Sequence, residues 1–108
     1  MAEIRFSPDA LSDLKQAKAY IAEELCSESA ALLTIAKIIR RIRMLSEFPQ
    51  SGAPLASVVS IDTDYRFLVC GSYNVFYRFE NGVVFIVRVL YGRRDYMRIL
   101  FDTEADPK

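Results

Sequence analysis

Residues 64–91 read DYRFLVC GS YNVFYRFE NG VVFIVRVLY, and this stretch decides the fold. Three runs rich in Val, Ile, Phe and Tyr are separated by two-residue breaks, Gly71-Ser72 and Asn81-Gly82. Glycine in the first position of a two-residue loop signals a type II′ turn, and Asn-Gly signals type I′. Both match the right-handed twist of paired strands. Two such turns fix the register of a three-stranded antiparallel meander over 64–70, 73–80 and 83–91. Counting outward from them places Tyr77 between Arg66 and Ile86, and Val75 between Leu68 and Arg88.

Side chains alternate across a strand, so each face of the meander can be written down. One face carries Tyr65, Phe67, Val69, Phe76, Arg78, Phe85, Val87, Val89 and Tyr91, and it is the expected bed for packed helices. The other carries Arg66, Leu68, Tyr73, Val75, Tyr77, Val84, Ile86, Arg88 and Leu90. This second face is also largely apolar, which a solvated antiparallel sheet would not be. It requires a cover: the tail, a second copy or a partner chain.

Upstream, residues 3–7 read as a short strand with Ile4 and Phe6 on one face. Ser7-Pro8-Asp9 is a helix start, with a capping hydroxyl, a proline in the first turn and an acid beside it. Leu11, Leu14, Ala17, Ile21 and Leu25 recur at helical steps to an end near Cys26. Ser27 or Ser29 caps a second helix striped by Leu32, Ile35, Ile38, Ile39, Ile42 and Leu45, which Pro49 stops. The short connection makes the pair a helical hairpin. Residues 50–63 have no clean period and read as a loop with one irregular turn. The expected architecture is α+β: a short N-terminal strand, an α-helical hairpin, the meander and a short C-terminal segment. It forms one domain over 1–101, and the acidic tail 102–108 reads as disordered.

Composition narrows the chemistry. The chain has 108 residues, 52% of them hydrophobic, with 14 basic and 14 acidic side chains, two Cys and no His. The absence of histidine removes Ser-His-Asp and Cys-His catalysis, His-containing zinc sites and any imidazole base. No metal site and no cofactor is expected. No secretory signal or membrane-length apolar run is present, so a cytoplasmic setting with reduced cysteines is expected.

The net charge of zero conceals a segregation. Residues 40–101 hold nine arginines against five acids, a net +4. Four arginines and two tyrosines fall between Arg88 and Arg98, namely Arg88, Tyr91, Arg93, Arg94, Tyr96 and Arg98. The meander register puts Arg66 and Tyr77 on the face of Arg88. Guanidinium forks match phosphate or carboxylate, and tyrosines stack on bases or anchor peptides. Phosphate-binding groups are thus plentiful, whereas proton-transfer groups are scarce. Lysine occurs only at 15, 18, 37 and 108, none of them in the meander.

The order of these elements, with Tyr65-Arg66-Phe67-Leu68, Gly71-Ser72-Tyr73-Asn74-Val75-Phe76-Tyr77-Arg78 and Val87-Arg88-Val89-Leu90-Tyr91-Gly92-Arg93-Arg94-Asp95, resembles the RelE/ParE superfamily. These are toxins of type II toxin–antitoxin modules, often called plasmid stabilisation proteins. The final segment is the most specific part, since it is similar to an LHGRRD-like pattern with Tyr91 in place of His. The resemblance implies a cognate antitoxin partner with an acidic, apolar helical segment. It also implies one of two targets. ParE-like members poison DNA gyrase by binding, and here Arg66, Tyr77, Arg88, Tyr91, Arg93, Arg94, Tyr96 and Arg98 would face the target or the antitoxin. RelE-like members cut mRNA on the ribosome, and Arg66, Arg94, Tyr91 and Tyr96 would then carry the cleavage. RelE-like lysines ahead of Arg66 have no counterpart in Ser57-Val-Val-Ser-Ile-Asp-Thr-Asp64. That absence and the missing histidine favour the ParE-like branch. A third possibility is a non-toxic relative kept as a binding partner.

Overall fold

The computed structural model describes residues 1–92 and 95–101. Strand β1 (Glu3–Phe6) leads into helix α1 (Pro8–Leu25) and helix α2 (Glu28–Arg43). A short strand β2 (Ala53–Pro54) precedes β3 (Arg66–Cys70), β4 (Tyr73–Glu80) and β5 (Val83–Tyr91), and helix α3 (Tyr96–Phe101) follows. The sheet order is β1-β5-β4-β3-β2. It has two strands more than the meander: β1 runs parallel to β5, and β2 pairs with the start of β3. The segment read as a loop thus contributes an edge strand and, at Leu55–Ser57, a turn of 3-10 helix. No helix among the described residues is long and apolar enough to cross a membrane.

The local signals act as their chemistry dictates. Ser7 Oγ accepts the Ala10 amide at 2.9 Å and caps α1; Ser27 Oγ accepts the Ala30 amide at 3.1 Å and caps α2. Gly71 has φ +60°, and Asn81 and Gly82 have φ 52° and 77°, so both hairpin turns take up the left-handed backbone their residues permit. Tyr77 lies opposite Arg66 and Ile86, as the turn count requires.

The register then slips. Tyr77 pairs with Ile86 but Phe76 pairs with Arg88, leaving Val87 as the extra residue of a β-bulge. Val75 therefore faces Val89, not Arg88. Beyond the bulge the alternation inverts, so Val89 joins the side of Val75 and Leu90 the side of Phe76.

The helical hairpin packs on the sheet face opposite to the expected one. Leu68, Val75, Tyr77, Val84, Ile86 and Val89 meet Leu14, Ala17, Ile21, Ile38, Ile42 and Leu45 in the main core. The other face buries Phe76 and Leu90 under Leu55, with Tyr65, Phe67 and four residues of α3 packed around them. Two apolar faces of similar content leave strand alternation unable to choose between them. Cover comes from the 3-10 turn and from α3, both parts of this chain.

Along the helices the buried stripe follows the expected one at Leu14, Ala17, Ile21, Ile38, Ile42 and Leu45 and departs from it toward the helix ends. Ala10, Asp13, Leu14, Ala17 and Ile21 are buried in α1, while Leu11 and Leu25 are exposed. In α2 the buried residues are Ala31, Ile38 and Ile42, and Leu32 faces outward.

Candidate functional site

Those of the arginines and tyrosines singled out in the sequence that the structure describes do not converge on one site; the fold distributes them over four places. The first is a clamp on the chain leaving α2. Tyr77, fully buried in β4, donates its hydroxyl hydrogen to the Pro49 carbonyl at 2.8 Å and accepts the Gly52 amide at 2.9 Å. Arg66 in β3 donates through Nη1 to the Gly52 carbonyl at 2.7 Å and the Gln50 carbonyl at 3.2 Å. Burial pushes the Tyr77 phenol above its ordinary pKa, against the smaller opposing effects of the Gly52 amide and the Arg66 charge. Both side chains hold backbone in place.

The second place joins α1 to the bulge. Asp13 receives Arg88 Nε and Nη2, each at 2.8 Å, and its Oδ2 also accepts the Val89 amide at 2.9 Å. This two-pronged, charge-assisted geometry is the strong form of an ion pair. Asp13 holds the Arg88 guanidinium further above its ordinary pKa, chiefly by hydrogen bonding. At the N-cap of α1, Ser7 Oγ donates to the Val87 carbonyl at 2.7 Å. Asp13 was not among the expected site residues. Its signal was present, however: a lone acid on the stripe Ala10, Leu14, Ala17, Ile21 requires a buried cation or amide.

The third place is open. Tyr20 from α1, Tyr73 from β4 and Tyr91 from β5 line a cleft of about 360 Å³ with Asp13, Gln16, Ala17 and Val89. A second depression of about 450 Å³ shares the same three tyrosines and continues between α1, α2 and the β3–β4 turn. The Tyr73 and Tyr91 rings meet edge to face at 5.7 Å. Burial raises the Tyr73 pKa, and the neighbouring Tyr20 and Tyr91 phenols raise it further. Tyr91 is 40% exposed and presents its ring to solvent.

The fourth is the C-terminal helix. Tyr96 lies against Phe76 at 5.2 Å between ring centroids. Arg98 is exposed; its backbone amide bonds Asp95 Oδ1 at 3.3 Å, which caps the helix. Arg93 and Arg94 and the acidic tail 102–108 lie outside the described residues.

Chemically, the arrangement favours contact over proton transfer. The Arg66 and Arg88 guanidiniums are committed to carbonyls and a carboxylate of the same chain. The two phenols with resolved shifts, Tyr73 and Tyr77, move upward, away from the range in which a phenolate would serve as a base. What stays available among the described candidates is the Tyr91 ring and the Arg98 guanidinium.

Comparisons with known proteins agree with this architecture. The profile of the ParE toxin of type II toxin–antitoxin system, parDE, matches residues 4–96. A solved chain from a chromosomal ParDE TA system of P. aeruginosa superposes with a TM-score of 0.71 at 19% identity, covering 84% of this chain and 96% of that one. YafQ from E. coli strain BL21(DE3) superposes with a TM-score of 0.50 at 15% identity, covering 94% of this chain and 99% of that one. No curated protein matches.

Proposed function

Because the chain belongs to the ParE toxin family of type II toxin–antitoxin systems, we propose that it inhibits DNA gyrase by binding and is neutralised by a cognate antitoxin. The observation that carries this reading is the engagement of Arg66 and Arg88. Arg66, the in-sheet guanidinium of the cleavage reading, is tied to the Gln50 and Gly52 carbonyls, and Arg88 of β5 is tied to Asp13. With them withdrawn, the exposed Tyr91 ring and Arg98 supply recognition without reactive groups. Tyr96 supports the helix that carries Arg98, and Arg93 and Arg94 belong to the same basic segment by sequence.

The test is a supercoiling assay with purified gyrase, relaxed plasmid, ATP and the chain freed from its antitoxin. Lost supercoiling with accumulation of gyrase-cleaved DNA is the expected result. Normal supercoiling with folded protein would overturn the reading. Ribosome-bound message would then be the next substrate to examine, with Tyr91, Tyr96, Arg66 and Arg94 as the residues to substitute.

A further inference from the structure

Charge is separated along the length of the helical hairpin. Leu11 lies against the same cavity as Ile39 and Ile42, and Leu25 against the same cavity as Thr34 and Ile38, so α1 and α2 run antiparallel. Around their connection stand Glu23, Glu24 and Glu28, and no basic residue occurs between Lys18 and Lys37. Toward the other end stand Lys15, Lys37, Arg40, Arg41 and Arg43, and no acidic residue occurs between Glu28 and Glu47. All eight of these side chains are exposed, and among the described residues none of them enters an ion pair. Glu28 and Arg40 are separated by about 18 Å of helical rise, and Lys15 and Glu23 by about 12 Å. Both spans exceed the ~8 Å screening length at physiological salt, so the two ends do not neutralise each other within one chain. Helix dipoles account for Glu28 at the start of α2 and for the arginines at its end. They do not account for Glu23 and Glu24, which occupy the last turn of α1, where the dipole disfavours acids.

We propose that this face docks a second copy of the chain, hairpin on hairpin, about a two-fold axis that lies in the interface at right angles to the helices. Such an axis sets the acidic end of each copy on the basic end of the other, and the match is made twice. The sequence spacing marks where the axis falls. Lys15, Ala19 and Glu23 recur at steps of four on one stripe of α1, so an axis at Ala19 brings Glu23 of each copy opposite Lys15 of the other. On α2 the corresponding centre is Ala36, which brings Glu28 opposite the turn from Arg40 to Met44. Ala19 and Ala36 are both exposed, and small side chains at the crossing let helices approach closely. Leu32, Leu33 and Met44, each more than half exposed, leave water in the same contact. A uniformly acidic helix or a nucleic-acid backbone would satisfy the arginines but be repelled at Glu23 and Glu28. A partner with both signs in reverse order suits the whole face, and a second copy is such a partner. The inference is independent of the target and of the antitoxin.

The test is sedimentation equilibrium of the purified chain, free of antitoxin, at low and at high salt. The wild type should form a dimer that weakens as salt rises. E23K/E28K and K15E/R43E should each raise the dimer dissociation constant at least ~tenfold, because each variant sets like charges against its own copy. An equimolar mixture of the two variants should regain dimers, since every facing pair is then again of opposite sign. L33A should weaken the dimer with no change in charge. All the substituted positions are exposed, so thermal unfolding of dilute samples should match the wild type and separate lost association from lost fold. A wild-type chain that stays monomeric up to about 0.1 mM would overturn the inference. A dimer that both charge variants retain would overturn it too, by placing the contact on another face. Variants that are monomeric alone and stay monomeric when mixed would overturn the antiparallel pairing on which it stands.

Discussion

Gly52 and Tyr77 are in contact that leaves no room for a side chain: a Cβ on Gly52 would lie 2.6 Å from the phenol oxygen and 2.8 Å from the Phe67 carbonyl. The Gly52 amide already donates to that phenol at 2.9 Å. The glycine is needed for close approach, since no positive φ is involved at this position.

Gly52→Ala should therefore destabilise the chain by about 2–4 kcal/mol, combining overpacking with a displaced buried hydrogen bond. Urea unfolding measures it, and a change below about 0.5 kcal/mol would contradict the contact.

Tyr77 also ties stability to alkaline pH. Its folded pKa is raised, so the unfolded chain loses the phenolic proton first as pH climbs past the ordinary value near 10. The unfolded state then binds fewer protons, and stability falls with rising pH until the folded pKa is passed. Below about pH 10 this contribution is fully present. Unfolding curves at neutral and alkaline pH should show a decline that is shallower in Tyr77→Phe, although that variant starts from lower stability. Parallel declines in the two proteins would refute the burial effect.

Asp13→Ala removes the acceptor of three hydrogen bonds and leaves Arg88 and the Val89 amide without it. Breaking a largely buried pair in this way costs about 3–5 kcal/mol. Because the bulge depends on the same contacts, amide exchange at Val87 to Val89 should accelerate along with global unfolding. A variant as stable as the wild type would show that the bulge holds itself.

Cys26 caps α1 in the left-handed region, with φ 51° and ψ 41°. A side chain pays about 1–2 kcal/mol for that conformation, which glycine avoids. After the entropic penalty of a freer unfolded chain, Cys26→Gly should stabilise by ~0.5–1 kcal/mol, read as a raised midpoint of thermal unfolding. A lowered midpoint would mean that the thiol contributes something the backbone geometry does not reveal.

Substitutions in the arginine–tyrosine set should divide by mechanism. Arg66→Ala should lower stability by about 1–3 kcal/mol, chiefly through the carbonyl of buried Gly52, since Gln50 is exposed to water, with inhibition of gyrase lost only as folding is lost. Tyr91→Ala and Arg98→Ala should stay within about 1 kcal/mol of the wild type while weakening inhibition in the supercoiling assay. Undiminished inhibition by both folded variants would remove the Tyr91 and Arg98 surface from the site.

Local chemistry carried much of the fold. The caps Ser7 and Ser27, the turns at Gly71-Ser72 and Asn81-Gly82, and the Tyr77 register with Arg66 and Ile86 all follow from residues within a few positions of one another. Such signals are readable because caps and turns are decided by backbone conformation and short-range hydrogen bonds. The candidate site was less legible. Arg66 and Tyr77 stand on one face as counted, but their partners are carbonyls at positions 49–52, in a segment without a period.

What tertiary structure alone decided is the side of the sheet on which the helices lie, and with it the role of Arg88. A strand pattern of period two assigns residues to two faces without saying which is inward, and here both are apolar. The bulge at Val87 then exchanges the faces of Val89 and Leu90. It is held by Ser7 and Asp13, 80 and 75 residues earlier in the chain. An ion pair and a serine–carbonyl hydrogen bond that close only once α1 has docked take partners that the local order of residues does not name. The sequence alone determined the turns, the helix starts and the identity of the charged groups. Long-range packing determined which of those groups remained free to meet a partner.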